Sequence, residues 1–304
     1  MNPSASRILV TGASGFIGRR LVDALCQQGR IVRCLVRQPD AHLPAAVEQV
    51  RGDLLEPLTL GPVLDGVDVA YYLVHSMAGG RADFERRDRA AAEHFSAAAS
   101  RAGVKRVIYL GGLGETGSEL SEHLASRREV AELLKKGRYR TTVLRAAVII
   151  GAGGASYEMI KSLVERLPVM ITPRWVSTRC QPIAVGDVIR YLTGCLDDER
   201  TVGEEFDIGG PDILSYREMM ERFGRICGKR NLLLPVPFLT PKLSSYWVGF
   251  ITPVKPSISQ PLIEGLKNEV VCADNRIREL IPFPLTSYDE AVRLALAERQ
   301  KCVT

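Results

Sequence analysis

Two hydrophobic rhythms alternate along the first 150 residues. Short apolar runs, "RILVTG", "IVRCLVR", "VEQVRGD", "VDVAYYLVH", "VKRVIYLGG" and "YRTTVLRAAVII", are separated by longer stretches of mixed character. The runs read as six strands, because each is brief and rich in β-branched or aromatic residues. The stretches "GFIGRRLVDALCQQG" and "FERRDRAAAEHFSAAASRAG" read as helices, the first amphipathic and the second with an alanine-rich body. Each closes on a glycine, Gly29 and Gly103, the residue that most readily adopts the left-handed conformation a helix end requires. A further helix is expected across "SEHLASRREVAE", residues 121–132. Alternation of strand and helix predicts an α/β fold: a doubly wound parallel sheet with ligands at the carboxyl ends of its strands.

After residue 151 the rhythm loosens into glycine, proline and mixed segments, closing on a helical pattern in "SYDEAVRLALAERQ". The expected organisation is a core over residues 1–150 and a smaller substrate-side subdomain over 151–304, folded onto that core. Residues 232–254 are largely apolar, yet Pro235, Pro237, Pro241, Lys242 and Pro253 interrupt them. A membrane-spanning helix needs about 20 mostly uninterrupted apolar residues, so no transmembrane segment is expected. The tract reads as a lid or packing segment, with a peripheral membrane or protein contact as the alternative.

Composition narrows the function classes. Of 304 residues, 46% are hydrophobic, enough for an ample core, and the formal net charge is only +5. Basic residues are interspersed with acids and form no aromatic-studded stripe, which argues against a nucleic-acid partner. Seven scattered cysteines, an odd number without a C-x-x-C pair, suit a reducing compartment, and the short apolar run at the start is too brief for a signal-peptide core. A cytoplasmic location is expected. No metal-ligand spacing, H-E-x-x-H or G-x-S-x-G is present, so no metal site or elbow serine is expected.

The most specific signal is "TGASGFIG", which follows the first strand and opens the first helix. Gly12 permits a tight turn, Gly15 lets backbone approach a pyrophosphate, and Gly18 lets the helix pack closely on the strand. Ser14, Phe16 and Ile17 lie within the same turn. With its G-x-x-G-x-x-G spacing this motif resembles the extended and atypical branch of the short-chain dehydrogenase/reductase superfamily, a Rossmann fold that includes NmrA-like and complex-I 39 kDa-like members. Further matches are "RGDLLEP", "LRAAVIIGAG", "QPIAVGDVIRYL" and "FDIGGPDILSYREM", so the resemblance spans about residues 7–225. It implies that Asp53 and Leu54 lie near an adenine ring. Val74 and His75, at the end of the fourth strand, would contact the cofactor through backbone groups, and Ser76 or Met77 would line the substrate pocket, with a buried, satisfied His75 as the alternative.

The cofactor expected is NADP(H) rather than NAD(H). Where a ribose-binding acid would end the second strand, "CLVRQPD" offers Arg37. A guanidinium cannot accept from a 2′-hydroxyl, but it pairs with a 2′-phosphate. Arg33 and Arg19 are possible assistants.

The resemblance also implies a serine, a proton-donating tyrosine and a lysine four residues beyond it. None is present. Gly111 and Gly112 stand at the serine position, and His123 and Arg127 occupy the Y-x-x-x-K spacing. Arg127 is expected to disfavour a protonated His123, leaving a neutral imidazole able to donate a hydrogen bond. Tyr157 and Lys161 repeat the spacing after the sixth strand, on the wrong side of the topology, and are expected only to border the substrate cleft. Two functions stay open: an NADP(H)-dependent oxidoreductase acting on a small apolar quinone-, enoyl- or carbonyl-type substrate, or a non-catalytic NADP(H)-binding redox sensor or assembly factor.

Overall fold

The computed structural model describes residues 6–75, 81–114, 122–172, 174–235 and 268–301. Its centre is a sheet of seven parallel strands: β1 Arg7–Val10, β2 Ile31–Val36, β3 Glu48–Arg51, β4 Val69–Tyr72, β5 Arg106–Gly112, β6 Arg140–Ala146 and β7 Glu205–Ile208. The spatial order is β7-β6-β5-β4-β1-β2-β3. Chain direction across the sheet reverses at β1, where Val10 faces Cys34 of β2 on one side and Tyr71 of β4 on the other. A crevice at the carboxyl ends opens at such a switch point.

Both faces of the sheet are covered, which is why its strands read as continuous apolar runs. Alternate residues go to opposite sides. Ile8, Val10, Cys34, Tyr71, Ile108, Leu144 and Phe206 pack with α1 (Phe16–Gln27) and α6 (Val185–Asp197). Leu9, Leu35, Ala70, Tyr72, Val107, Tyr109 and Val143 pack with α2 (Leu60–Leu64), α3 (Arg81–Ala102) and α4 (Glu122–Lys135).

A second core lies beyond the carboxyl end of β6. It is built from Tyr157, Ile160 and Val164 of α5 (Ala155–Arg166), Met219, Met220 and Phe223 of α7 (Tyr216–Ile226), and Ala291, Val292 and Ala295 of the helix Tyr288–Lys301. The start of α7 is fixed by a capping box: the Ser215 hydroxyl accepts from the Glu218 amide at 3.2 Å, and Glu218 accepts from the Ser215 amide at 2.7 Å.

Two features depart from the sequence expectation. The run 139–150 is not one strand: β6 stops at Ala146, and Ile149–Ile150 pairs separately with Ile183–Ala184. The seventh strand, β7, lies within the later segments yet completes the central sheet beside β6. Its Asp207 is buried but well served, accepting from Arg145 Nε at 2.8 Å and from the Ala273 and Asp274 amides at 2.9 and 3.2 Å. Of the apolar tract 232–254, residues 236–254 lie outside the described set, while Leu232–Pro235 pairs in parallel with Val169–Thr172. Among the described residues no helix is long and apolar enough to cross a membrane.

Candidate functional site

The turn after β1 is locked to β4 before any ligand is considered. The Thr11 hydroxyl donates to Tyr71 O at 3.1 Å and accepts from the Leu73 amide at 3.2 Å. Gly12 then adopts a left-handed φ of +68°, where a Cβ would stand 2.8 Å from Leu73 O. A Cβ on Gly18 would meet Gly12 O at 2.1 Å, and one on Gly15 would meet the same oxygen at 3.1 Å. The three glycines thus bring α1 hard against the turn. Gly15 caps α1 without a side-chain hydrogen bond, and the first turn of the helix holds no acid. Its terminal amides are therefore arranged as in an anion-binding helix start.

A cavity of about 470 Å³ opens at this point. Gly12, Gly15, Phe16, Ile17 and Gly18 of the turn line it, with Leu73, Val74 and His75 after β4 and Tyr109 to Leu113 at the carboxyl end of β5. Arg127 enters from α4. The far side is mostly apolar: Ala146 to Ile149, Gly154 to Ser156, Met159, Ile160, Tyr216 and Val270. The Arg127 Nε is buried with no hydrogen-bond partner, and no ion pair among the described residues engages its guanidinium. The Tyr109 hydroxyl donates to the main-chain oxygen of Arg127 at 3.3 Å.

His75 is a titratable group of the cavity wall on which the charge of Arg127 acts. Its Nδ1–H donates to Asp88 Oδ2 at 2.9 Å, and Asp88, on α3, is only 4% exposed. Burial pushes the imidazole down to about 4, the Arg127 charge adds to the effect, and the Asp88 hydrogen bond and charge oppose it. The ring is therefore neutral at pH 7. The charge of Arg127, expected to act on His123, thus bears on His75. His123 belongs by its backbone to α4, and its side chain lies outside the described residues, as do Ser76 and Met77.

Asp88, which holds a cavity-lining histidine, is not among the residues expected from the sequence. Its signal was present: it is an acid three, four and seven residues before Ala91, Ala92 and Phe95, all buried on one face of α3.

Other candidates fall elsewhere. Tyr157 is 1% exposed and does not line the cavity; its ring packs 5.7 Å from that of Phe223. The turn of α5 gives the cavity Ser156, Met159 and Ile160 and gives Tyr157 to the second core. Lys161 is 9% exposed and lies 3.5 Å from Glu165, away from the cavity lining. Asp53 and Leu54 also lie outside that lining. The Gly52 amide donates to Val36 O at 3.0 Å, which sets them beside the end of β2. Leu54 is buried, and its carbonyl accepts from His94 Nδ1 at 2.9 Å. Ser14 and Arg37 are exposed.

The two assistant arginines are already committed. Arg33 is 5% exposed, grips Glu48 through two nitrogens at 2.9 and 3.0 Å, and donates to the carbonyls of Pro62, Val63 and Asp65. It closes the carboxyl end of α2. Arg19 pairs with Asp40 at 3.0 Å. Among the described residues no cluster of three or more candidate metal ligands occurs.

Comparison with known proteins agrees with this geometry. Residues 12–162 match a family model described as NAD(P)H-binding. A ceramide reductase of Caulobacter vibrioides is 30% identical over 234 residues, covering 76% of this chain and 73% of the relative. The chain belongs to the short-chain dehydrogenase/reductase superfamily, among its atypical members. This dehydrogenase/reductase homologue is also 24% identical over 314 residues to an Arabidopsis thaliana protein named as subunit 9 of the NADH dehydrogenase [ubiquinone] 1 alpha subcomplex, covering 94% of this chain and 77% of that protein. An NAD-bound superfamily structure from Agrobacterium tumefaciens superposes with a TM-score of 0.70 at 18% identity, covering 98% of both chains.

The atypical short-chain dehydrogenase/reductase therefore carries a pyridine-nucleotide site. Its own residues fit such a group: the glycine cradle has no room for side chains, and Arg127, with no ion pair among the described residues, lines the same cavity.

Proposed function

We propose that this short-chain dehydrogenase/reductase is an NADP(H)-dependent oxidoreductase acting on a small apolar substrate. The observation that carries the reading is Arg127. It lines the cavity without a carboxylate partner among the described residues, and the same cavity is lined by the glycine turn and by Ala146, Val148, Met159 and Ile160. A cation there, with no counter-charge among the described residues, is suited to an anionic or oxygen-bearing ligand.

When bound, the nicotinamide supplies hydride chemistry. The glycine turn and the start of α1 hold the diphosphate, and Arg37, exposed at the end of β2, pairs with a 2′-phosphate. Arg127 holds ribose hydroxyls or a substrate oxygen, and the apolar wall seats the substrate and excludes water. A relative named as a ceramide reductase supports an apolar substrate class.

A second reading, nucleotide binding without turnover, is favoured by one observation: His123, Arg127, Gly111 and Gly112 stand where the superfamily keeps its tyrosine, lysine and serine. Titration with NADPH, followed by turnover assays across quinones, enones and ketones and their alcohols, separates the two. Steady NADPH oxidation or NADP⁺ reduction with any of them supports the enzyme. Stoichiometric binding with no turnover across the panel overturns it in favour of the second reading.

A further inference from the structure

We propose that the bare face of the ribbon formed by Val169–Thr172 and Leu232–Pro235 docks on the surface of an anionic lipid bilayer. The inference stands on the outside of the second core and is independent of any role given to the cavity residues.

Three observations carry it. The first is the geometry of the ribbon. Its strands pair in parallel, with Leu232 opposite Val169 and Leu233 opposite Met170. Successive side chains alternate between faces, so directly paired residues share one. Met170 and Leu233 belong to the second core and are 4% and 6% exposed. Val169, Leu232 and Leu234 therefore project from the other face, where they are 46%, 55% and 43% exposed. One exposed leucine is ordinary; three large aliphatic side chains on a single face mark an interaction surface.

The second is how firmly that face is held. Asn231 Nδ2 donates to Val164 O and Leu167 O at 2.8 and 2.7 Å, and the Leu232 amide donates to Pro168 O at 2.8 Å. Arg217 Nη2, from α7, donates to Leu233 O at 3.2 Å. The ribbon is thus fastened to the carboxyl end of α5 and to α7, with its apolar side chains turned outward.

The third is charge. Residues 165–169 and 225–234 contain Arg166, Arg225, Lys229 and Arg230, all exposed, against the single acid Glu165. Glu165 lies 3.5 Å from Lys161. Lys229 Nζ donates to Glu165 O at 2.6 Å, which sets its ammonium at the carboxyl end of α5 beside the ribbon.

These features choose the occupant. A second copy would set like charges against one another. A single-stranded nucleic acid calls for aromatic platforms, and neither segment contains an aromatic residue. Aliphatic tips flanked by arginine and lysine suit the headgroup boundary of an anionic bilayer, where the tips leave water and the cations meet phosphate. The cavity is near: α5 gives it Met159 and Ile160 and ends at Arg166, about 9 Å further along the helix axis.

The test is sedimentation of the full chain with lipid vesicles. Binding is expected to vesicles of phosphatidylcholine mixed with phosphatidylglycerol, to be much weaker with phosphatidylcholine alone, and to fall as salt rises. Lys229→Gln with Arg230→Gln is expected to lower the partition coefficient about 30-fold, roughly fivefold per charge. Leu232→Ser with Leu234→Ser is expected to lower it about tenfold or more. All four side chains are exposed, and an unchanged m-value in urea checks that each variant folds. Should one fail to fold, hydrogen exchange of the wild type reads the same contact: vesicles are expected to slow exchange at 169–172 and 232–235.

No binding to the anionic vesicles at low salt overturns the proposal, as does equal binding to phosphatidylcholine alone or binding undiminished in both variants. A concentration-dependent dimer that dissolves in the leucine variant overturns it in favour of a second copy. Binding to polyglutamate as tight as to vesicles, lost in the same variants, overturns it in favour of an acidic protein.

Discussion

Replacing Gly18 with alanine tests the glycine cradle directly. The new Cβ would lie 2.1 Å from Gly12 O and 2.8 Å from Ala13 Cα, where ordinary contact is 3.4–4 Å. Both neighbours are backbone, so neither can swing away; α1 must retreat by more than 1 Å. That retreat pulls Leu21, Val22 and Leu25 out of their packing on the sheet. Overpacking costs about 1–3 kcal/mol, and a backbone clash belongs at the upper end. The better helix propensity of alanine returns about 1 kcal/mol, leaving a net loss of about 2 kcal/mol.

Two controls separate stability from binding. Gly29 has φ +70° with nothing within 4 Å, so Gly29→Ala incurs only the left-handed penalty of about 1–2 kcal/mol. Gly186, in α6, has open space and no left-handed φ, so Gly186→Ala is neutral or stabilising by up to about 1 kcal/mol. Urea denaturation at constant m-value measures all three, and NADPH titration follows each. Gly18→Ala is expected to weaken NADPH binding at least tenfold, about 1.4 kcal/mol, while the two controls bind as the wild type does. Unchanged stability and affinity in Gly18→Ala would refute the reasoning.

Two further outcomes follow from the same structure. The Lys105 ammonium, 2.7 Å from Asp68, and the Arg7 amide hold the Asp68 carboxyl below its usual range. Its stabilising contribution is complete above the unfolded value of about 3.9 and is lost as pH falls through the lower folded value, so Asp68→Asn should flatten the acid limb of a stability–pH curve. Burial pushes the thiols of Cys34 and Cys180 up to about 12 and that of Cys195 to about 11. Mass spectrometry after brief treatment with a thiol reagent at pH 8 should find these three unlabelled in the native protein and labelled in urea; rapid native labelling would contradict their burial.

Legibility tracked how local the cause was. β1, β2, β4 and β5 were plain because a parallel sheet buried on both faces demands unbroken apolar runs, and the glycine turn was plain because its three glycines lie within seven residues, those at 15 and 18 constrained by Gly12 itself. β7 was passed over because its four residues include Asp207, an acid made tolerable only by Arg145 and by amides more than sixty positions away. The break after Ala146 hid inside an apolar run, since Ile149 and Ile150 are just as hydrophobic but pair with Ile183 and Ala184.

At the site, sequence could number the arginines near the second strand but not see what had claimed them. Arg33 is consumed by the carbonyls ending α2 and by Glu48, whereas Arg37 stays exposed. Helix phase misplaced Tyr157, whose spacing to Lys161 imitates a catalytic pair while its ring packs on Phe223. The link between His75 and Asp88 crosses from a strand end to a helix, so thirteen residues of separation carried no periodic signal for it.

Calorimetric titration of the purified full chain with NADPH and, separately, with NADH tests the central claim most directly. The account predicts one site per chain, with NADPH bound about tenfold or more tighter than NADH and that margin lost in Arg37→Ala. Absence of heat with both nucleotides, at concentrations up to about 1 mM, would contradict it.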